Sequence, residues 1–287
     1  MTGASGATLW GEARVSEANK SKASVNYYDA NYGNFATELY AEIRREAFGE
    51  DIGQSGWQTA GEQDRFLAAL QLAPGKKLLD VACGSGGPSL RISAKSGCSL
   101  VGIDMHERGI AAACALAEKQ GLTRRVEFKV TDASQRMPFD DAEFDAITCI
   151  DAIIHLPDRP RVLSEWTRVL KPGGRMLFTD STVVTGPVTK EEIAVRSSIG
   201  YFEFVPPDYD RRVLEQCGLK ILVAEDVTQN MAELAEGHRQ AREARGSELR
   251  KIEGDRTYEG QQEFLAVTAR VSRERRLSRF LYLAEKG

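Results

Sequence analysis

The run Lys76-Lys77-Leu78-Leu79-Asp80-Val81-Ala82-Cys83-Gly84-Ser85-Gly86-Gly87-Pro88 constrains the fold more than any other stretch. Leu78, Leu79 and Val81 form a short apolar run that reads as a strand buried on both faces. Gly84, Gly86 and Gly87 then predict a turn whose backbone something must approach closely, since no β-carbon stands in the way. Beyond Pro88, Leu90-Arg91-Ile92-Ser93-Ala94 predicts a helix, with the proline tolerated in its first turn. Strand, glycine turn and helix N-terminus together make the nucleotide-binding unit of an α/β sheet.

The ligand follows from the acids. Ser89 occupies the third glycine position of the dinucleotide fingerprint, and Asp80 at the strand end would repel a pyrophosphate but suit an amino group. A second buried strand, Leu100-Val-Gly-Ile-Asp104, ends in a carboxylate placed to accept both ribose hydroxyls. The pair fits an adenosine carrying a cationic amino-acid tail, which is S-adenosylmethionine.

Four segments then carry a resemblance: Asp80–Gly87, Gly102-Ile-Asp104, Thr131-Asp132-Ala133 and Leu170-Lys-Pro-Gly-Gly174. In that order and spacing they resemble the class I S-adenosylmethionine-dependent methyltransferases, over about residues 62–181. The resemblance implies a Rossmann-like α/β fold with a seven-stranded, mainly parallel sheet, helices on both faces and an antiparallel last strand. It implies cofactor contacts from Asp80, Ala82, Gly84, Gly86, Asp104, Met105, Asp132, Ala133 and Ile150.

The alternation of elements agrees with that fold. Strands are expected at Val126–Val130, Phe144–Ile150, Arg175–Asp180, Leu219–Val223 and Phe280–Ala284, with two charged helical stretches over 229–275. Residues 1–24 read as a loose arm and 25–61 as an N-terminal lid segment. Residues 62–287 read as the catalytic domain, with cap insertions at about 182–208 and 228–276.

Composition narrows the class. The 287 residues carry a net charge of −4, so nothing electrostatic invites nucleic acid, and the basic run Arg270–Arg279 reads as a solvated helix face among acids. Five unpaired-looking cysteines and three scattered histidines give no metal-ligand spacing and suit a reduced, cytoplasmic protein. No apolar run is long enough to span a membrane. The expected partner is a small-molecule acceptor, with the protein a monomer or homodimer.

Chemistry is expected beyond the fourth strand, in Asp151-Ala-Ile-Ile-His155. If this segment turns helical, Asp151 and His155 share a face. Methyl transfer needs a nucleophile with its lone pair aimed at the methyl, and a histidine suits the removal of its proton. The structural alternative is a histidine that only ties down the neighbouring loop. For Asp151 the choice is between contact with a substrate amine and a solvated strand-end acid. Tyr27, Tyr28, Tyr32 and Tyr201 are candidates for a lid and for contact with a cationic substrate.

This segment, with Asp158-Arg-Pro and Thr179-Asp180, is similar to the phosphoethanolamine and sarcosine/dimethylglycine N-methyltransferases. The similarity implies that Asp151 and His155 contact substrate and that a tyrosine pairs with the histidine. That tyrosine falls at Tyr28, with Tyr27 and Tyr32 as register alternatives. It also implies cofactor contacts from Gln54 and Ser55. Ser181 stands where the phosphoethanolamine enzymes carry a substrate tyrosine, and no phosphate-gripping basic residues are identifiable. The expected acceptor is therefore an amine nitrogen of another small molecule. An oxygen or carbon acceptor in a natural-product intermediate is the main alternative, and a non-catalytic cofactor binder a further one.

Overall fold

The computed structural model describes residue 32 and residues 34–287. Helix α1 (Glu38–Phe48) and helix α2 (Ala60–Leu70) precede β1 (Lys77–Val81) and α3 (Gly87–Ser96). There follow β2 (Ser99–Asp104), α4 (Glu107–Lys119), β3 (Val126–Val130) and β4 (Phe144–Cys149). Helix α5 (Arg159–Val169) leads into β5 (Leu170–Val184). The later elements are α6 (Lys190–Arg196), α7 (Tyr209–Gln216) and β6 (Leu219–Asp226). Then come α8 (Thr228–Glu243), α9 (Gly246–Glu253), α10 (Asp255–Arg273) and β7 (Leu277–Lys286).

The seven strands lie in the order β3-β2-β1-β4-β5-β7-β6. Strands β1 to β5 pair in parallel, and β7 inserts antiparallel between β5 and β6. The expected sheet is therefore present, with two boundary corrections. The fifth strand starts at Leu170, so Lys171-Pro-Gly-Gly belongs to an irregular first part of β5 with a register shift against β4. Residues 229–275 hold three helices where two were expected, because Gly246 and Gly254 divide the run.

Each face of the sheet is covered by helices. Trp166, Leu163, Phe144 and Phe178 are fully buried on one side; Leu78, Leu90, Leu100 and Ala113 are buried in the cluster on the other. A third cluster joins α1 to the C-terminal helices through Phe48, Trp57, Met231, Leu234 and Phe264. Helix α1 thus packs with α8 and α10 into one cap beside the sheet.

Gly86 shows why the turn is glycine. It has φ +76°, and a β-carbon there would lie 2.6 Å from Ala113 Cβ on α4 and 2.8 Å from the Phe128 ring on β3. Both left-handed strain and overpacking oppose a side chain. Gly86→Ala is expected to lower stability by about 3 kcal/mol, read as a shift in urea midpoint at unchanged slope.

Candidate active site

The carboxyl ends of β1, β2, β3 and β4 converge on a cavity of about 320 Å³. Ala82, Asp104, Asp132 and Ile150 stand along it, and Tyr32, His155 and Tyr201 line it as well. A narrower space of about 50 Å³ is lined by Ser55, Gly56, Ala82 and Ile150, which the main cavity shares, and by Asp80.

The two strand-end acids are held differently. Asp104 Oδ2 accepts the Gly84 N–H at 2.9 Å and Oδ1 the His106 N–H at 2.9 Å, so backbone donors fix the carboxylate in plane. Each oxygen retains a second lone pair for another donor. Asp80 is buried; its oxygens accept the Ser89 hydroxyl and, at 2.8 Å, the Thr148 hydroxyl. Burial pushes its carboxyl up to about 6, the two hydroxyls pull it back and Asp104 adds to the rise. Such a carboxyl gains most from a cation beside it.

Of the sequence-expected cofactor residues, Ser55, Ala82, Asp104, Met105, Asp132, Ala133 and Ile150 line the main cavity. Asp80 and Gln54 line the narrower one. Asp132 Oδ1 is taken by Ser134 N–H (2.9 Å) and Ser134 hydroxyl (2.7 Å). Gln54 also has a role within its own loop. Its buried carboxamide accepts the Ile52 N–H (2.9 Å) and donates to the Glu50 carbonyl (3.0 Å), so it staples its own loop. The glycines are also closely packed by the protein. At Gly84 the β-carbon direction meets the Tyr32 hydroxyl at 2.8 Å, and at Gly86 it meets α4. Protein groups alone already oppose a side chain at both positions.

Tyr27 and Tyr28 lie outside the described residues. Tyr32 is buried against Gly84 and tilted over the His106 ring at 5.8 Å, which places it beside the cofactor turn. Tyr32 also lines the main cavity. Tyr201 is exposed at the cavity mouth.

His155 closes a short 3-10 turn, Ile153–His155. Its Nδ1 sits 2.8 Å from the Tyr201 carbonyl, and a carbonyl only accepts, so Nδ1 carries the proton and Nε2 the lone pair. The Phe202 ring packs edge-on at 4.7 Å. Burial pushes its pKa down to about 4, with the hydrogen bond to Tyr201 opposing and Arg196 adding to the fall. The imidazole is neutral at physiological pH.

Asp151 is the largest departure from the sequence expectation. Its backbone is left-handed, φ +56°, and the side chain turns inward. Oδ1 accepts Arg279 Nε at 2.6 Å and the Thr179 hydroxyl at 2.9 Å; Oδ2 accepts the Trp57 N–H at 2.7 Å and Arg279 Nη2 at 3.2 Å. The helical face shared with His155 does not form, and the carboxylate is neutralised from within. Neither Arg279 nor Glu62, which binds the same guanidinium, was singled out from the sequence. Their partners lie 128 and 217 residues away, and the basic run around Arg279 imitates a solvated face.

Comparison with known proteins bears on what this cavity serves. The family described as "Methyltransferase domain" matches residues 79–178. The 27-O-demethylrifamycin SV methyltransferase of Amycolatopsis mediterranei is 31% identical over 204 residues, covering 67% of this chain and 75% of that relative. The chain belongs to the S-adenosylmethionine-dependent methyltransferases. Methyltransferase GfsG of Streptomyces halstedii is 30% identical over 229 residues, covering 74% of this methyltransferase and 81% of the relative. In fold, it matches a Haemonchus contortus phosphoethanolamine N-methyltransferase 2 in complex with S-adenosyl-L-methionine. The TM-score is 0.74 at 20% identity, over 91% of this methyltransferase and 60% of that chain. The methyltransferase therefore uses S-adenosylmethionine, and the buried, up-shifted Asp80 beside the narrower cavity suits its cationic amino group. No described helix is long and apolar enough to cross a membrane.

Proposed function

We propose that this methyltransferase methylates an oxygen of a neutral, largely apolar small molecule, with His155 as the base. The observation that carries the reading is the pairing of Asp151 with Arg279: the carboxylate still lines the cavity, but its charge is already met by a buried guanidinium and not left for an amine. Ala152, Leu156 and Ile199 give the cavity that His155 lines an apolar part of its wall. A relative named for 27-O-demethylrifamycin SV supports the same reading.

S-adenosylmethionine supplies the methyl group on a sulfonium. In this reading Asp104 accepts the ribose hydroxyls, Asp132 the adenine amino group, and Asp80 the amino group of the methionine tail. His155 Nε2 accepts the acceptor's hydroxyl proton as the oxygen–methyl bond forms. Its low basicity suits a proton that leaves late, with bond formation well advanced. Tyr201, which lines the cavity, and Tyr28, the lid residue expected from the sequence, are the proposed lid that excludes water while the reactants stand in line.

The deciding experiment measures S-adenosylhomocysteine release with pooled amines, phenols, neutral polyketide-like alcohols and carboxylic acids, against a blank without acceptor. Turnover confined to phenols or neutral alcohols is the expected result. Turnover confined to amines would overturn the oxygen assignment and restore the amine expected from the sequence.

A further inference from the structure

Three charged side chains that this chemistry does not use meet inside the protein: Glu62 in the first turn of α2, Asp151 after β4, and Arg279 on β7. Arg279 is fully buried, and the Glu62 and Asp151 side chains are only 6% and 3% exposed. The guanidinium grips Asp151 with two nitrogens, Nε at 2.6 Å and Nη2 at 3.2 Å, while Nη1 donates to Glu62 Oε1 at 2.8 Å. Two carboxylates and one cation taken out of water give little net stability over an apolar filling of equal volume. Burial indeed raises the Glu62 carboxyl against the pull of Arg279. Stability alone does not account for the cluster; the geometry it imposes does.

The Asp151 carboxylate holds part of the cavity wall. Asp151 Oδ2 accepts the Trp57 N–H, immediately after Ser55 and Gly56, and those two residues line both the main cavity and the narrow one at Asp80. Gly56 comes so close that a β-carbon would lie 2.8 Å from Asp151 Oδ2. Glu62 stands at the start of α2, where its N–H is capped by Thr59 at 3.1 Å, directly after the same loop. The Arg279 backbone N–H is itself fixed by the Thr228 hydroxyl at 3.0 Å.

We propose that Arg279 is a positioning residue for cofactor capture: its two-pronged grip aims the Asp151 carboxylate so that loop 55–57 is held closed against the cofactor cavity. Arg279 touches neither reactant and acts through Asp151. The inference concerns cofactor binding, so it stands or falls separately from the acceptor assigned above.

The test measures S-adenosylhomocysteine affinity by calorimetry well below the unfolding temperature. Arg279→Lys keeps the charge but not the fork, and is expected to weaken binding about tenfold. Gly56→Ala, which crowds the same contact from the loop side, is expected to weaken it similarly. Arg159→Lys is the control, since Arg159 is equally buried between carboxylates but lines neither cavity. It should lower the thermal midpoint and leave the affinity within twofold. If Arg279→Lys folds and binds within twofold of the parent, the proposal fails. It fails equally if Arg159→Lys weakens binding as much, because general loosening would then explain both. Should Arg279→Lys not fold, Gly56→Ala decides alone by the same twofold criterion.

Discussion

His155→Ala is expected to reduce turnover by about 10²- to 10⁴-fold while leaving S-adenosylhomocysteine affinity within about twofold. The separation is expected because His155 stands by Tyr201 and Phe202, whereas the acids Asp80 and Asp104 stand at the ends of β1 and β2. The pH profile gives a sharper test. A base must be unprotonated to act, and burial has pushed His155 down to about 4. Turnover should therefore hold level as pH falls from neutrality and decline only as pH approaches about 4. A limb near the ordinary histidine value of about 6.5 would mean a solvated imidazole and would remove the structural basis for the assignment. The decline should vanish in His155→Ala, whose residual rate has no base to protonate. Turnover in that variant close to the parent's would show the histidine to be a loop anchor for Tyr201.

The second large effect lies below the His155 turn. Arg159 on α5 is fully buried between Asp180 and Asp210, both also fully buried, with Asp180 Oδ2 at 2.7 Å from Nη1. Arg159→Met leaves two carboxylates facing each other without their cation, and is expected to cost about 3–5 kcal/mol by urea denaturation at neutral pH. Asp210 sets the pH dependence. Burial, and then the charge of Asp180, raise its carboxyl well above the ordinary range. An acid whose folded pKa is raised favours the fold while protonated. Its contribution is present below the unfolded value and is lost as pH rises toward the folded one. The Arg159→Met deficit should accordingly shrink on acidification, and Arg159→Met/Asp210→Asn should recover much of it at neutral pH. If the double variant is as unstable as the single one, lost packing of the guanidinium is the cause and not stranded charge.

The parts of the site legible in the sequence are those built within one βαβ unit. Asp80, the glycine turn and Asp104 sit at strand ends fixed by local patterning, so parallel pairing of β1 with β2 brings them together without further information. Tyr201 and His155 were each visible as candidates, but the hydrogen bond that fixes the imidazole tautomer runs to a backbone carbonyl, which no side-chain identity announces. Gln54 was expected as a cofactor contact from the family resemblance alone, and its hydrogen bonds to Ile52 and Glu50 within the loop are backbone contacts that no motif announces.

The sequence by itself determined the alternation of strands and helices, the cofactor and the family, and the family resemblance implied the antiparallel last strand. The first three rest on periodicity, turn chemistry and short motifs, all contained within a few tens of residues. Only the tertiary structure decided what Asp151 does. Its left-handed backbone and the insertion of β7 beside β5 bring Arg279 against it from 128 residues away. Inside the protein, water cannot screen that approach. The nearest opposite charge, and not the local motif, therefore fixes whether the carboxylate faces a ligand or a guanidinium.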